Sequence, residues 1–463
     1  MSDRVTRREA LKTAALAVGS AAIGSGTCLA QARGGPSRSA KPNIIFILAD
    51  DLGYGDLGCY GQAQIQTPQI DQLAAEGVRF TDCYSGSTVC APSRCCLMTG
   101  HHTGHARIRS NVRRPLQPED TTVAQVLKQA GYATGIVGKW GLGEPDTTGV
   151  PTRQGFDEWF GYLNQTHAHN YYPEYLWRNE MRVPLSGNLA GRKSQYSHDL
   201  FTAEAVDFIQ RQREQPFFLY LAYTLPHANN ELGRETGNGM EVPHDRPYAG
   251  RPWPQPQKNH AEMITRLDYD VGLVMDTLRE TGIDKNTIVL FTSDNGPHRE
   301  GGARPGFFNS AGGLRGIKRD LYEGGIRVPM IARWPGQIAP GTTCQEPWAF
   351  WDFLPTAAEL AGAQAPPAID GVSVVPALLG NQMQARGYLY WEFIYGKRLR
   401  QAVRMGKWKA VRLAPEAPIE LYDLAADRAE TTDLAAENAE LVARARELMQ
   451  TARTRCEYYP EPG

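Results

Sequence analysis

The chain has 463 residues, with 49 Lys and Arg against 50 Asp and Glu, so its formal net charge of −1 gives no electrostatic pull toward nucleic acid. Its 41% hydrophobic content suits an ordinary packed core, and no apolar run is long enough to span a bilayer. The length accommodates one large α/β domain and a smaller appendage.

Residues 1–32 read as a processing segment that precedes the fold. Thr6-Arg7-Arg8-Glu9-Ala10-Leu11-Lys12 is similar to a twin-arginine export motif, although Ala10 stands where a large apolar residue is usual. A short, weakly apolar run from Ala14 to Ile23 follows, and Ala30-Gln31-Ala32 offers a small-residue cleavage site. The expectation is a protein exported to the periplasm or beyond. Cys28 follows Thr27, a poor context for lipid attachment, so a soluble mature form is expected. The eight cysteines do not form a disulfide pattern: Cys59, Cys83, Cys344 and Cys456 are scattered, while Cys90, Cys95 and Cys96 crowd one segment.

Four apolar runs read as buried strands, each leading into polar residues. Asn43 to Ala49 ends in Asp50-Asp51, and Thr134 to Gly138 ends in Lys139. Phe217 to Tyr223 leads into Pro226-His227, and Thr287 to Ser293 ends in Asp294-Asn295. Helical patterns lie between them. One starts at Thr67-Pro68 with Ile70, Leu73 and Ala74, another carries Val123, Val126, Leu127 and Ala130, and a third runs from Met263 to Leu278. This alternation predicts a large, mixed, mostly parallel sheet sandwiched by helices, over residues 33–385. The Pro- and Gly-rich stretch from Gly237 to Asn259 reads as a surface loop at the site mouth. Beyond it, residues 386–463 read as a small α+β subdomain. Its strands lie at Ala402-Val403-Arg404, Trp408 to Arg412 and Ile419 to Tyr422, with a last helix near Asn438 to Thr451.

In doubly wound sheets, ligands sit beyond the carboxyl ends of the strands, where all these polar residues fall. Asp50-Asp51 and Asp294-Asn295 at two buried strand ends repel one another and lose hydration, so they call for a cation. Either pair alone reads more readily as a cap or turn. Together, four oxygen donors without His or Cys suit a hard divalent ion and argue against zinc.

Cys90-Ala91-Pro92-Ser93-Arg94, followed by Leu97-Met98-Thr99-Gly100, resembles the signature of the sulfatase family, and the resemblance extends over nearly the whole mature chain. It implies that Cys90 is oxidised to formylglycine, an aldehyde whose hydrate attacks sulfur with one hydroxyl and expels sulfate through the other. It implies one calcium ion held by Asp50, Asp51, Asp294 and Asn295, with the Cys90 side chain among the ligands. Arg94, Lys139 in Gly138-Lys139-Trp140, and Lys318 ahead of Tyr322-Glu323-Gly324-Gly325 resemble the sulfate-binding cations, and His227 resembles the histidine on the leaving oxygen. The implied partners are a sulfated small molecule or glycan and a formylglycine-generating enzyme acting before export. One departure matters: Gly141 stands where the family has a histidine that serves as base. His169 or His167 is a candidate replacement, and His298 is a third candidate or a substrate contact. His101, His102 and His105 read as structural or pocket-lining. Tyr171, Tyr172 and Trp177 are expected to shape a pocket for a sugar ring, in a sulfated hexosamine or galactose unit. Two other readings are a phosphomonoesterase or phosphonate monoester hydrolase of the same superfamily, and a non-catalytic binder of sulfated glycans.

Overall fold

The computed structural model describes residues 41–396, 398–456 and 459. The export segment and Cys28 lie outside the described residues. One ten-stranded sheet organises the chain. Its strands are β1 (Asn43–Ala49), β2 (Val78–Phe80), β3 (Ala133–Lys139), β4 (Glu158–Tyr162), β5 (Tyr175–Arg178), β6 (Met181–Pro184), β7 (Phe217–Ala222), β8 (Thr287–Ser293), β9 (Met330–Arg333) and β10 (Thr342–Cys344). They lie in the order β10-β2-β9-β8-β1-β7-β3-β4-β5-β6. The central strands β8, β1, β7, β3 and β4 are parallel, and antiparallel pairs flank them on both sides.

Alternation within the buried strands decides which layer each side chain joins. Ile45 and Ile47 of β1, Leu219 and Leu221 of β7, and Val289 and Phe291 of β8 share one core. On that face lie α1 (Pro68–Ala75), α4 (Ser197–Gln212) and α6 (Gln255–Glu280); the short α5 (Asn230–Thr236) precedes α6 in the chain. Ile44, Phe46, Phe218 and Leu290 point to the opposite core, covered by α2 (Cys90–Thr99), α3 (Val123–Gln129) and α7 (Phe353–Leu360). Thr122 and Gln125 form the capping box that starts α3. The Pro- and Gly-rich stretch is shorter than the sequence suggested, because Pro254 caps α6 and Gln255 already begins it. No helix among the described residues is long and apolar enough to cross a membrane.

The C-terminal part is an antiparallel sheet of β11 (Leu389–Tyr395), β12 (Arg398–Met405), β13 (Trp408–Arg412) and β14 (Glu420–Asp423), backed by α8 (Ala439–Thr451). β11 escaped the sequence pattern because charged Glu392 interrupts its apolar run, although that side chain is buried. Leu389, Trp391 and Phe393 join the core of the ten-stranded sheet, while Tyr390 packs with α8. A buried ionic clamp also joins the two parts. Lys409 Nζ on β13 lies 2.8 Å from Glu323 Oε1 and 2.9 Å from Glu430 Oε1, and Arg327 Nε lies 2.5 Å from Glu323 Oε2. Burial and the neighbouring Glu323 push Glu430 up to about 7, so Lys409 is the cation that both carboxyls share. Lys409→Met is expected to cost about 3 kcal/mol, because a buried charge is left without its partner. A lowered urea midpoint at unchanged m-value would register that loss, and an unshifted midpoint would show the clamp to be energetically idle.

Candidate active site

Strand register explains why distant residues meet. β1 and β8 pair Ala49 with Ser293, so Asp50 and Asp294 emerge side by side at the carboxyl edge. β3 and β7 pair Gly138 with Ala222, which brings Lys139 and, after a short loop, His227 to the same edge. Gly138 has φ 107°, and a Cβ there would stand 2.0 Å from Ala222 O, so only glycine allows this approach. Asp51 turns away from the strand with φ 66°, a left-handed conformation that Asp tolerates better than most residues. Its N–H donates to Asp294 Oδ1 at 3.1 Å.

Cys90 opens α2, and its Sγ lies 3.2 Å from Asp50 Oδ1 and 4.0 Å from Asp51 Oδ1. Arg94 follows one turn later on the same helix face. It donates to Asp294 Oδ2 through Nε and Nη2, at 3.0 and 2.9 Å, and through Nη1 to Lys139 O at 2.6 Å. Lys139 Nζ donates to Asp50 Oδ2 at 2.6 Å, and Lys318 Nζ to Asp51 Oδ2 at 2.7 Å. Asn295 Nδ2 donates to Asp51 Oδ1 at 2.7 Å. All these side chains are buried.

Low dielectric makes these charges strongly interdependent. Burial opposes ionisation of Asp50, yet the charges of Lys139 and Arg94 hold its carboxyl well below the usual range. Asp294 is pushed up to about 7 by burial and by the charge of Asp50, with Arg94 opposing. Burial, Asp294 and Asp50 raise the Cys90 thiol far above its ordinary value. That thiol therefore stays protonated, and as an unmodified side chain it would be a poor nucleophile.

The donor set fits a hard cation. Asp50, Asp51, Asp294 and Asn295 lie at one strand edge, linked by the Asp51 N–H to Asp294 Oδ1 and by Asn295 Nδ2 to Asp51 Oδ1, and Asn295 Oδ1 is buried with no hydrogen-bond partner among the described residues. An unprotonated Asp294 in this company needs positive charge beyond Arg94. Among the described residues, one ligating atom from each of Asp50, Asp51, Cys90 and His227 lies within 4.8 Å of the others.

Hydrogen bonds to backbone and carboxylate define the histidine tautomers. Ala228 O accepts from His227 Nδ1 at 2.7 Å, so the Nε2 lone pair faces Lys318 Nζ at 3.3 Å. Burial, followed by Lys318, keeps this ring neutral. His298 Nδ1 accepts the Glu300 N–H at 3.0 Å, so its Nε2–H is committed to Pro226 O at 3.2 Å. Buried and doubly bonded, His298 has no ring nitrogen open for a base or substrate contact. It lies against His227 instead, centroids 5.9 Å apart. His167 packs between Tyr162 and Tyr175, with centroids 4.9 and 4.4 Å away, and burial pushes it down to about 4. His169 does reach the site, stacking on His227 at 5.1 Å and 11°.

The aromatic residues expected to line a pocket are mostly structural. Tyr171 is buried and donates to Thr224 O and His227 O, at 2.8 and 2.6 Å, which supports the His227 loop from behind. Trp177 stacks on Trp159 in the core. An open cleft of about 760 Å³ instead lies beside the start of α2, lined by Val89, Asn111, Arg114, Arg319, Phe393 and Tyr459. His102 also proves structural. Its Nδ1 accepts the Gly104 N–H at 3.1 Å, leaving Nε2–H toward Asp370 at 3.5 Å.

Two carboxylates escaped the sequence reading. Glu300 lies 3.4 Å from Lys318 Nζ and 3.9 Å from His227 Nε2, and it also pairs with Arg319. Glu231 holds His169 Nδ1 at 2.9 Å. Neither belongs to a motif. The one usable signal was Asn229, a cap residue whose side chain accepts the Leu232 N–H and so starts α5 beneath Glu231.

A family model described as Sulfatase matches residues 42–363, and one described as N-sulphoglucosamine sulphohydrolase, C-terminal, matches residues 316–455. Arylsulfatase A of Homo sapiens is 37% identical over 408 residues, covering 80% of this chain and 74% of that protein. N-acetylgalactosamine-6-O-sulfatase of Bacteroides thetaiotaomicron is 31% identical, over 90% of this chain and 94% of that protein. The crystal structure of Ps i-CgsB in complex with k-i-k-neocarrahexaose superposes with a TM-score of 0.78 at 30% identity, covering 91% of this chain and 95% of that one.

Proposed function

The chain belongs to the sulfatase family and is a sulfuric ester hydrolase; from that premise we propose that it cleaves a sulfate monoester on a carbohydrate. The observation that carries this reading is the packing of Cys90 Sγ, 3.2 Å from Asp50, inside a ring of buried carboxylates and cations. We propose that Cys90 is converted to formylglycine before export, and that Asp50, Asp51, Asp294 and Asn295 hold one calcium ion. The formylglycine supplies a hydrated aldehyde in place of a thiol that does not ionise here, and calcium supplies positive charge to the sulfate oxygens.

The remaining roles belong to the chain's own side chains. Arg94, Lys139 and Lys318 surround the sulfate position with fixed positive charge, which is worth most in a dry site. Lys318 carries protons beside the His227 lone pair, so the two act together on the departing oxygen. His169 serves as the base in place of the residue absent at Gly141. Carbohydrate as the substrate class draws on the printed names of the similar proteins and on the cleft with Phe393, Tyr459 and Arg319. Within it, a sulfated hexosamine or galactose unit is proposed. The catalytic unit is taken as residues 33–385 and the subdomain as 386–463, exported through the twin-arginine-like segment.

Protein from a host that matures such cysteines should hydrolyse nitrophenyl sulfate far faster than nitrophenyl phosphate, and should desulfate a 6- or 4-sulfated hexosamine or galactose oligosaccharide. Faster phosphate turnover would replace this reading with a phosphomonoesterase. An unmodified Cys90 thiol in natively produced protein would replace it with a glycan binder.

A further inference from the structure

Gly141 is more than a missing side chain, because its space is taken. It has φ 81°, and a Cβ there would stand 2.5 Å from Gln165 Nε2. Gln165 thus fills the position that the base would occupy, and Gln165 has no basic atom. A proton acceptor has to enter from another segment.

His169 is the histidine at this site with an uncommitted lone pair. His227 spends Nε2 on Lys318, and both nitrogens of His298 are bonded to backbone. For His169, Glu231 Oε2 accepts from Nδ1 at 2.9 Å, and the polar contacts of the ring among the described residues all run through Nδ1, none through Nε2. Its ring lies parallel to that of His227, one ring nitrogen of which is within 4.8 Å of Cys90 Sγ.

We propose that Glu231 is a positioning residue: its carboxylate holds His169 in the Nδ1–H tautomer, so that Nε2 is the proton acceptor replacing the side chain absent at Gly141. The inference rests on the proposed role of His169 as base. In the step, a hydroxyl proton at the reaction centre passes to His169 Nε2. The resulting imidazolium keeps its Nδ1–H on Glu231, and the Nε2 proton later leaves to water. The arrangement follows the general logic of a base oriented by a third group. Charges around the ring act in both directions. Burial, Lys139 and Lys318 disfavour the imidazolium and Glu231 favours it, while neutral His227 covers one face and Arg234 lies 3.8 Å from the other Glu231 oxygen.

The test is Glu231→Gln, whose amide can donate to Nδ1 and so favour the opposite tautomer. The expected result is a kcat lower by roughly tenfold, less than the roughly 10²-fold or more of a general base itself because Glu231 acts through His169 and is half exposed, with KM nearly unchanged. The acid limb of kcat should move to lower pH, because loss of the carboxylate makes His169 easier to deprotonate. Histidine ¹⁵N spectra at neutral pH should show Nδ1 protonated in the parent protein and Nε2 protonated in the variant. Glu231→Asp should recover part of the rate. In a His169→Ala background, Glu231→Gln should have no further effect. An unchanged tautomer, or an equal loss in that background, overturns the role of Glu231 while leaving His169 as base. Full turnover by His169→Ala itself overturns the base assignment, and the inference with it.

Discussion

Cys90→Ser protein, produced in a host that converts only cysteine, is expected to fold normally and to lose turnover of nitrophenyl sulfate by on the order of 10⁴-fold or more, the scale seen when a covalent nucleophile is removed. The substitution is nearly isosteric, and a hydroxyl can donate to Asp50 Oδ1 where Sγ now stands at 3.2 Å, so the melting temperature should barely move. The same loss is expected for wild-type protein made without the maturation enzyme. Burial, Asp294 and Asp50 all oppose ionisation of the thiol, which leaves almost no thiolate at neutral pH. Mass spectrometry of the Cys90 peptide should show the aldehyde in active preparations and the thiol in inactive ones. Retention of full turnover by Cys90→Ser in that host would remove the nucleophile assignment.

Calcium is expected to raise the melting temperature of the protein, and Asp294→Asn to abolish that response together with most activity, by roughly 10³-fold for loss of a preorganised charge centre. At a hundredfold excess over its dissociation constant, the ion should add about 2.7 kcal/mol of stability. The pH dependence has a definite sign. Asp294 is held up to about 7 in the metal-free fold against an ordinary value of 3.8. Between those values the folded state binds a proton that the unfolded chain has released, so metal-free protein loses stability as pH rises through this window. Bound calcium should remove the loss, because it favours the ionised carboxylate that burial opposes. A flat stability profile between pH 4 and 7 without calcium, or an equal calcium response in Asp294→Asn, would show that Asp294 does not face the ion.

Both predictions use residues that were readable in advance, for a clear reason. A strand buried on both faces must be a continuous apolar run, so its end is marked by the first polar residue, and parallel strands bring such ends together. Asn43 to Ala49 and Thr287 to Ser293 therefore announced Asp50 and Asp294, and the structure has those strands as adjacent partners in register. The Cys90 to Arg94 segment is likewise local, since helical spacing alone puts the two side chains on one face of α2.

What required the tertiary structure has no period and no fixed spacing. His167 and His169 are indistinguishable in Gln165-Thr166-His167-Ala168-His169, yet one ring packs between tyrosines and the other stacks on His227. Tyr171 and Trp177, apolar surfaces suited to a sugar, turned inward because a buried loop and a second tryptophan needed them more. Glu231 and Glu300 are ordinary surface carboxylates in sequence, and only chain reversals bring them to histidine and lysine. Sequence by itself determined the sheet, its functional edge and the acidic and sulfur-bearing residues on that edge, because burial patterns are written in local periodicity. Which nitrogen of each histidine carries its proton, and which residue occupies the gap at Gly141, were decided by contacts between segments far apart in the chain, where hydrogen-bond direction and excluded volume have no counterpart in spacing.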